Sequence, residues 1–124
     1  MPQPSTSPPL VLVVEDDAFV RAMAVDALEE EGFKVLEAPS ADYAVTVLGS
    51  RSDIGVVFTD ITMPGTLNGF DLARLVRRLY PRISVLVSSG ALPSGFTGEP
   101  PDARFVPKPY RMTEVVRIIR GMTA

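Results

Sequence analysis

Residues 54–65 read IGVVFTDITMPG. Ile54 to Thr59 is apolar or β-branched apart from Gly55, and it runs without a break into Asp60. A short continuous run of this kind suits a strand covered on both faces, as in a parallel sheet; a half-exposed strand would alternate. Pro64, Gly65, Asn68 and Gly69 then mark Thr62 to Gly69 as a loop. A carboxylate therefore stands at the carboxyl end of a buried strand, where the chain turns.

Reading outward, the same grammar repeats. Leu10 to Val14 and Ile83 to Val87 are further strand-sized apolar runs, Phe33 to Ala38 reads as a second strand, and Arg104 to Val106 as a short fifth one. Between them lie stretches with helical spacing. Ala18 to Glu31 places Phe19, Val20, Met23, Ala24, Ala27 and Leu28 on one face, and Gly32 is its stop. Ser40 is the N-cap of a helix reaching about Leu48. Phe70 to Leu79 and Met112 to Met122 are the other two. Ala91 to Ala103 holds Pro93, Gly95, Gly98, Pro100 and Pro101, so a helix there is short or absent. Strands alternating with helices imply an α/β fold, a doubly wound five-stranded parallel sheet with helices on both faces. Its crevice lies at the carboxyl ends of the strands. Residues 1–9 are rich in Pro, Ser and Thr and read as a disordered tail, leaving 10–124 as one domain.

Composition narrows the chemistry. The chain has 124 residues, is 46% hydrophobic, and carries a net charge of −3. That balance argues against direct contact with nucleic acid, which needs clustered Lys and Arg. The apolar runs are too short to span a membrane. Neither Cys nor His occurs, so thiol chemistry is excluded and the commonest general base is missing. A bound metal must then sit on oxygen, which points to a hard cation such as Mg²⁺.

The strand ends gather a specific set: Glu15, Asp16 and Asp17 after the first strand, Asp60 at the third, Ser88 and Ser89 at the fourth, and Lys108 after the fifth. Clustered carboxylates resist ionisation unless a cation intervenes. A carboxylate beside Mg²⁺ can act as nucleophile toward phosphorus. The metal and a Lys would offset the charge on the phosphoryl oxygens. The set has the parts for phosphoryl transfer to Asp60.

At these residues the chain resembles the receiver domain of bacterial two-component response regulators, from Leu10 to about Arg120. The resemblance is carried by Leu-Val-Leu-Val-Val-Glu-Asp-Asp at 10–17, Val-Val-Phe-Thr-Asp-Ile-Thr-Met-Pro-Gly at 56–65, Ser89-Gly90, and Phe-Val-Pro-Lys-Pro-Tyr at 105–110. It implies a flavodoxin-like fold with Asp60 as phosphoacceptor. It implies Mg²⁺ held by Asp16, Asp60 and the Thr62 carbonyl, with Glu15 acting mainly through water. Ser89 and Lys108 become the phosphoryl partners, Phe105 the switch aromatic, and the bond before Pro109 cis. It implies a cytoplasmic protein, a monomer or weak dimer, that takes phosphate from a sensor histidine kinase or phosphotransfer protein and signals to an unknown output protein. The chain would modify itself without turning over a small molecule. Three departures stand out: the loop from Met63 to Gly69 is one residue longer than the common pattern, Ala91 to Ala103 lacks an ordinary helix, and Phe105 stands where the chemotaxis regulator has Tyr, so it cannot donate a hydroxyl hydrogen bond.

Other readings remain open at this point. Asp17 can serve simply to start its helix. Serines at strand ends are often turn formers, Lys108 could be a solvated charge, and Phe105 could be plain core. Glu29–Glu31 reads as a solvated helix end, and Arg74, Arg77 and Arg78 as solvation of the third helix. A Mg²⁺-dependent phosphohydrolase with an Asp nucleophile is one alternative, although haloacid dehalogenase-type enzymes carry a second Asp where Thr62 stands. A phosphorylation-independent interaction module of the same fold is another.

Overall fold

Strand β1 (Leu10–Val14) lies inside the sheet, flanked by strands that arrive later in the chain. The computed structural model describes residues 9–62, 65–89 and 103–123. After β1 come α1 (Ala18–Glu30), β2 (Lys34–Ala38), α2 (Ala41–Ser50), β3 (Ile54–Asp60), α3 (Gly69–Leu79), β4 (Ser84–Ser89), β5 (Ala103–Pro107) and α4 (Met112–Thr123). The strands form one sheet in the order β2-β1-β3-β4-β5. Every neighbouring pair is parallel. The chain leaves β1 toward β2 on one side and returns to β3 on the other, so the topological switch falls between β1 and β3.

Alternation along the strands splits the core into two layers. Leu10, Leu12, Val14 and Val57 pack with Ala44, Leu48, Leu72 and Val76 of α2 and α3. Val11, Val13, Val56 and Phe58 pack with Ala24, Leu28, Val115 and Ile119 of α1 and α4. Both faces of the central strands are thus buried, which is why β1 and β3 read as unbroken apolar runs. Each such side chain contributes roughly 1.5–3 kcal/mol. The exposed ion pairs on the helices contribute far less, so the two apolar layers carry the fold.

Caps set the helix boundaries. The Asp17 carboxylate accepts from the amides of Phe19 and Val20 and starts α1. Gly32, at φ 93°, follows the Glu31 cap and turns the chain into β2. The Ser40 hydroxyl caps α2 as expected. Asn68 and Asp71 form a reciprocal capping box at the start of α3.

One expectation is corrected. Phe19 and Met23 do not join the buried face of α1; they are 74% and 53% exposed. The buried stripe is Ala24, Val25 and Leu28. Tyr43 of α2 and Leu79 of α3 also face outward. The expected short or absent helix after β4 falls on residues 90–102, outside the described residues, as does the tail at 1–8.

Candidate functional site: the carboxyl edge of the sheet

The site is built where β1 and β3 end side by side. Val14 pairs with Thr59, so Glu15 and Asp60 leave the sheet as neighbours. Glu15 is buried and Asp16 exposed, and carboxylate oxygens of Glu15, Asp16 and Asp60 lie within 4.8 Å of one another. This group could hold a metal ion. The donor set, carboxylate oxygen alone, fits Mg²⁺.

Asp60 is the best fixed of the three. Its side chain is 11% exposed. One oxygen, Oδ1, accepts the Ile61 amide at 2.8 Å; the other, Oδ2, accepts from Lys108 Nζ at 2.9 Å. The Thr59 hydroxyl donates to the Asp60 carbonyl at 2.9 Å. The Ile61 amide also donates to Ser88 O at 3.2 Å, which ties the exit of β3 to β4. Lys108 arrives from the loop after β5, next to a cis Lys108–Pro109 bond. Burial works against its charge, but the Asp60 hydrogen bond and the Asp60 and Glu15 charges outweigh it and hold the ammonium above the usual lysine range.

Glu15 has the opposite problem. Burial pushes its carboxyl above the usual carboxylate range, opposed by the Asp17 amide and reinforced by Asp16 and Asp60. The Asp17 amide reaches Glu15 Oε2 at 3.1 Å.

The remaining expected residues are placed as follows. Thr62 lies two residues past Asp60 and is exposed. Ser89 ends β4 opposite Pro107, and its side chain lies outside the described residues. Phe105 is half-buried, its ring 5.8 Å from that of Phe70.

Three residues near the site escaped sequence reading. Arg21 of α1 donates to the Glu15 carbonyl at 2.7 Å and to Glu37 of β2 at 3.0 Å, clamping the turn that carries the acids. Tyr110 packs edge-on against Phe58, ring centroids 5.7 Å apart, and with Ser88 lines a small space beneath Glu15 and Asp60. Burial, then the charge of Glu15, raises its hydroxyl above the ordinary tyrosine range. Asp42 of α2 reaches the β3–α3 loop. A charged residue in the first turn of a helix carries no sequence signal for such a role.

Gly69 closes the base of that loop. Its amide donates to Ile61 O at 2.8 Å. A Cβ here would overlap the Asp60 carbonyl and lie 2.8 Å from the Ile61 Cα. Only glycine lets α3 start this close to the strand end.

Residues 11–120 match the family model for the response regulator receiver domain. The chain belongs to that family. As a receiver domain of two-component signalling, it is 32% identical over 116 residues to the sensor kinase CckA of Brucella abortus, covering 90% of this chain and 12% of that protein. It therefore spans a small part of that kinase. It is 28% identical over 115 residues to the response regulator receiver protein CpdR of Brucella abortus, covering 90% of this chain and 94% of that one. A solved response regulator receiver protein from Sinorhizobium medicae WSM419 superposes with a TM-score of 0.86 at 24% identity, over 95% of this receiver and 96% of that one. That similarity is one of fold. No helix among the described residues of the receiver is long and apolar enough to cross a membrane.

Proposed function

We propose that this receiver accepts a phosphoryl group on Asp60 from the phosphohistidine of a sensor kinase or phosphotransfer protein. One observation carries the reading: Asp60 is nearly buried at the switch point, beside two further acids, with Lys108 Nζ 2.9 Å from its outer oxygen. A structural ion pair would not need two extra carboxylates packed against it. A nucleophilic carboxylate with a metal and a cationic partner does.

In the transfer, an Asp60 oxygen forms the new O–P bond while the P–N bond of the donor breaks. The electron pair goes to the imidazole nitrogen, which takes up a proton. The Ile61 amide holds Asp60 Oδ1 in place during approach. The Lys108 ammonium, already at the reacting carboxylate, meets the phosphoryl oxygens as they arrive. Ser89 at the end of β4 supplies the hydroxyl partner, and Phe105, half-buried on Phe70, is the aromatic that shifts with it. Mg²⁺, held by Asp16, Asp60 and the Thr62 carbonyl with Glu15 acting through water, supplies charge neutralisation at the phosphoryl oxygens when bound. The chain thereby modifies itself, and the phosphoryl state is read by protein contacts with an output partner in the cytoplasm.

Incubation with Mg²⁺ and a small phosphodonor such as acetyl phosphate should add one phosphoryl mass, and Asp60→Asn should abolish it. Incorporation that survives in Asp60→Asn sinks the assignment. Sustained turnover of free phosphate esters would instead point to a phosphohydrolase.

A further inference from the structure

Two of the three acids of the site ride on a turn that β2 holds from two directions. Glu15 and Asp16 follow β1 and precede α1, so neither is fixed by a strand or a helix of its own. The Glu15 amide donates to Ala38 O at 3.0 Å, where β2 ends. The Glu15 carbonyl accepts from Arg21 Nη1 at 2.7 Å, and Arg21 Nε donates to Glu37 Oε1 of β2 at 3.0 Å. That carbonyl belongs to the planar peptide joining Glu15 to Asp16. Both residues are members of the acidic group, so Arg21 grips the peptide from which two of its carboxylates project.

The guanidinium suits this place. Its N–H groups stand in a rigid fork and can meet two acceptors in fixed directions. Only 19% of the Arg21 side chain is exposed, against 51% for Glu37. An ion pair with so exposed a partner adds little stability. Its effect is to orient the fork toward the Glu15 carbonyl. Charge alone would work the other way: a positive group beside a cation site repels the cation. Positioning and repulsion therefore have opposite signs, and a substitution separates them.

We infer that Arg21 is a positioning residue for the metal site: oriented by Glu37, it fixes the Glu15–Asp16 peptide so that both carboxylates stand ready beside Asp60, and β2 contributes to metal affinity without touching the metal. This rests on the proposed Mg²⁺ site. Mg²⁺ demands near-ideal octahedral geometry, so a carboxylate held in place before the ion arrives binds it better than one that must be ordered on arrival.

The test is a Mg²⁺ titration of the unphosphorylated chain followed by the amide NMR shifts of Asp16 and Asp60, with thermal denaturation recorded in parallel. Arg21→Met keeps the aliphatic stem and removes the fork and its charge. It should weaken Mg²⁺ binding by about tenfold, the low end of what losing an outer hydrogen-bond partner does to a metal site. Arg21→Lys keeps the charge, but one ammonium cannot hold both acceptors, and binding should weaken by a smaller factor. If Arg21 acts through its charge, Arg21→Met binds Mg²⁺ more tightly than the wild type. If it only supports the fold, Arg21→Met melts lower and its binding constant is unchanged. Either result overturns the inference. Should Arg21→Met be unfolded at the titration temperature, Arg21→Lys decides: weaker binding supports the inference, and wild-type binding overturns it. A wild-type chain that binds no Mg²⁺ rejects the proposed function and the clamp with it, whereas wild-type binding that Arg21→Met leaves equal or tighter rejects the clamp alone.

Discussion

Gly69→Ala tests whether β3 and α3 are as tightly joined as the geometry says. Two effects oppose each other. Gly69 is the first residue of α3 and its φ is not positive, so helix propensity alone favours Ala by up to about 1 kcal/mol. Against this, the new methyl would overlap the Asp60 carbonyl and press on the Ile61 backbone. The neighbours are main chain inside a sheet, not the far end of a flexible side chain, so they yield only by moving the strand exit. Overpacking of this kind costs about 1–3 kcal/mol. Moving α3 away also stretches the Gly69–Ile61 hydrogen bond, worth about 1 kcal/mol. The steric and hydrogen-bond losses exceed the propensity gain, leaving a net loss of about 2 kcal/mol. At roughly 4 °C per kcal/mol for a chain of this size, the melting temperature should fall by about 8 °C. Urea denaturation followed by circular dichroism measures the first quantity, and a thermal scan the second. Gly121→Ala is the control: that glycine sits in α4 with nothing within 4 Å of a built Cβ, so the same substitution should be neutral or stabilise by about 0.5–1 kcal/mol. A Gly69→Ala variant as stable as the wild type would refute the close-approach argument.

Glu15→Gln, in chelator at neutral pH, should raise stability. Burial, then Asp16 and Asp60, lifts the Glu15 carboxyl in the fold above its unfolded value of 4.5, so ionised Glu15 costs stability above that pH. The advantage of the variant should shrink as pH falls through the raised value and vanish below about 4.5; urea midpoints across that range show it, and a less stable variant at pH 7 contradicts it. In the same series, added Mg²⁺ should raise the melting temperature of the wild type more than that of Glu15→Gln. Arg21→Lys should cost about 1 kcal/mol in urea denaturation, because one ammonium cannot reproduce the fork that reaches both Glu15 O and Glu37. Tyr110→Ala should cost about 2 kcal/mol through the lost edge contact on Phe58, while Tyr110→Phe keeps the ring and most of the stability.

Much of this molecule could be read before it was seen, and the reason differs by layer. The strands were legible because burial on both faces leaves no charged residue in Leu10–Val14 or Ile54–Thr59. Parallel pairing gathers the strand ends at one edge, which put Lys108 and Asp60 in one set, but their hydrogen bond across 48 residues was not read from the sequence. The face of α1 was not legible. Between Ala18 and Leu28 apolar residues occur nearly all round the helix, and periodicity had no polar side against which to orient it. Phe19 was assigned inward and points out. Arg21, Asp42 and Tyr110 were missed for another reason. Each is an ordinary residue for its element, and each matters only through a partner that the tertiary fold supplies. Thr66 was visible as a loop residue but not as a contact, because the acceptor it meets, Asp42, lies on a different helix.

The charges at the sheet edge set what the site needs next. Glu15, Asp16 and Asp60 bring three carboxylates within 4.8 Å, and Lys108 brings one positive charge. Arg21 stands near, but Glu37 engages its charge. With all three acids ionised, three negative charges less one positive leave a deficit of two, which a divalent cation matches. Without it, part of the deficit falls on Glu15, whose burial pushes it toward the protonated form. Adding a phosphoryl group to Asp60 exchanges one carboxylate charge for nearly two on phosphate oxygens, so the demand for positive charge rises on phosphorylation. Lys108 is the cation already within reach, and in the proposed transfer its pairing with Asp60 would loosen as it turns to the new oxygens. The β5–α4 turn that carries Lys108 lies next to Phe105 and Tyr110 in the chain. In the proposed transfer, Lys108 would carry the charge added at Asp60 to β5 and its following turn, where a change of surface is expected.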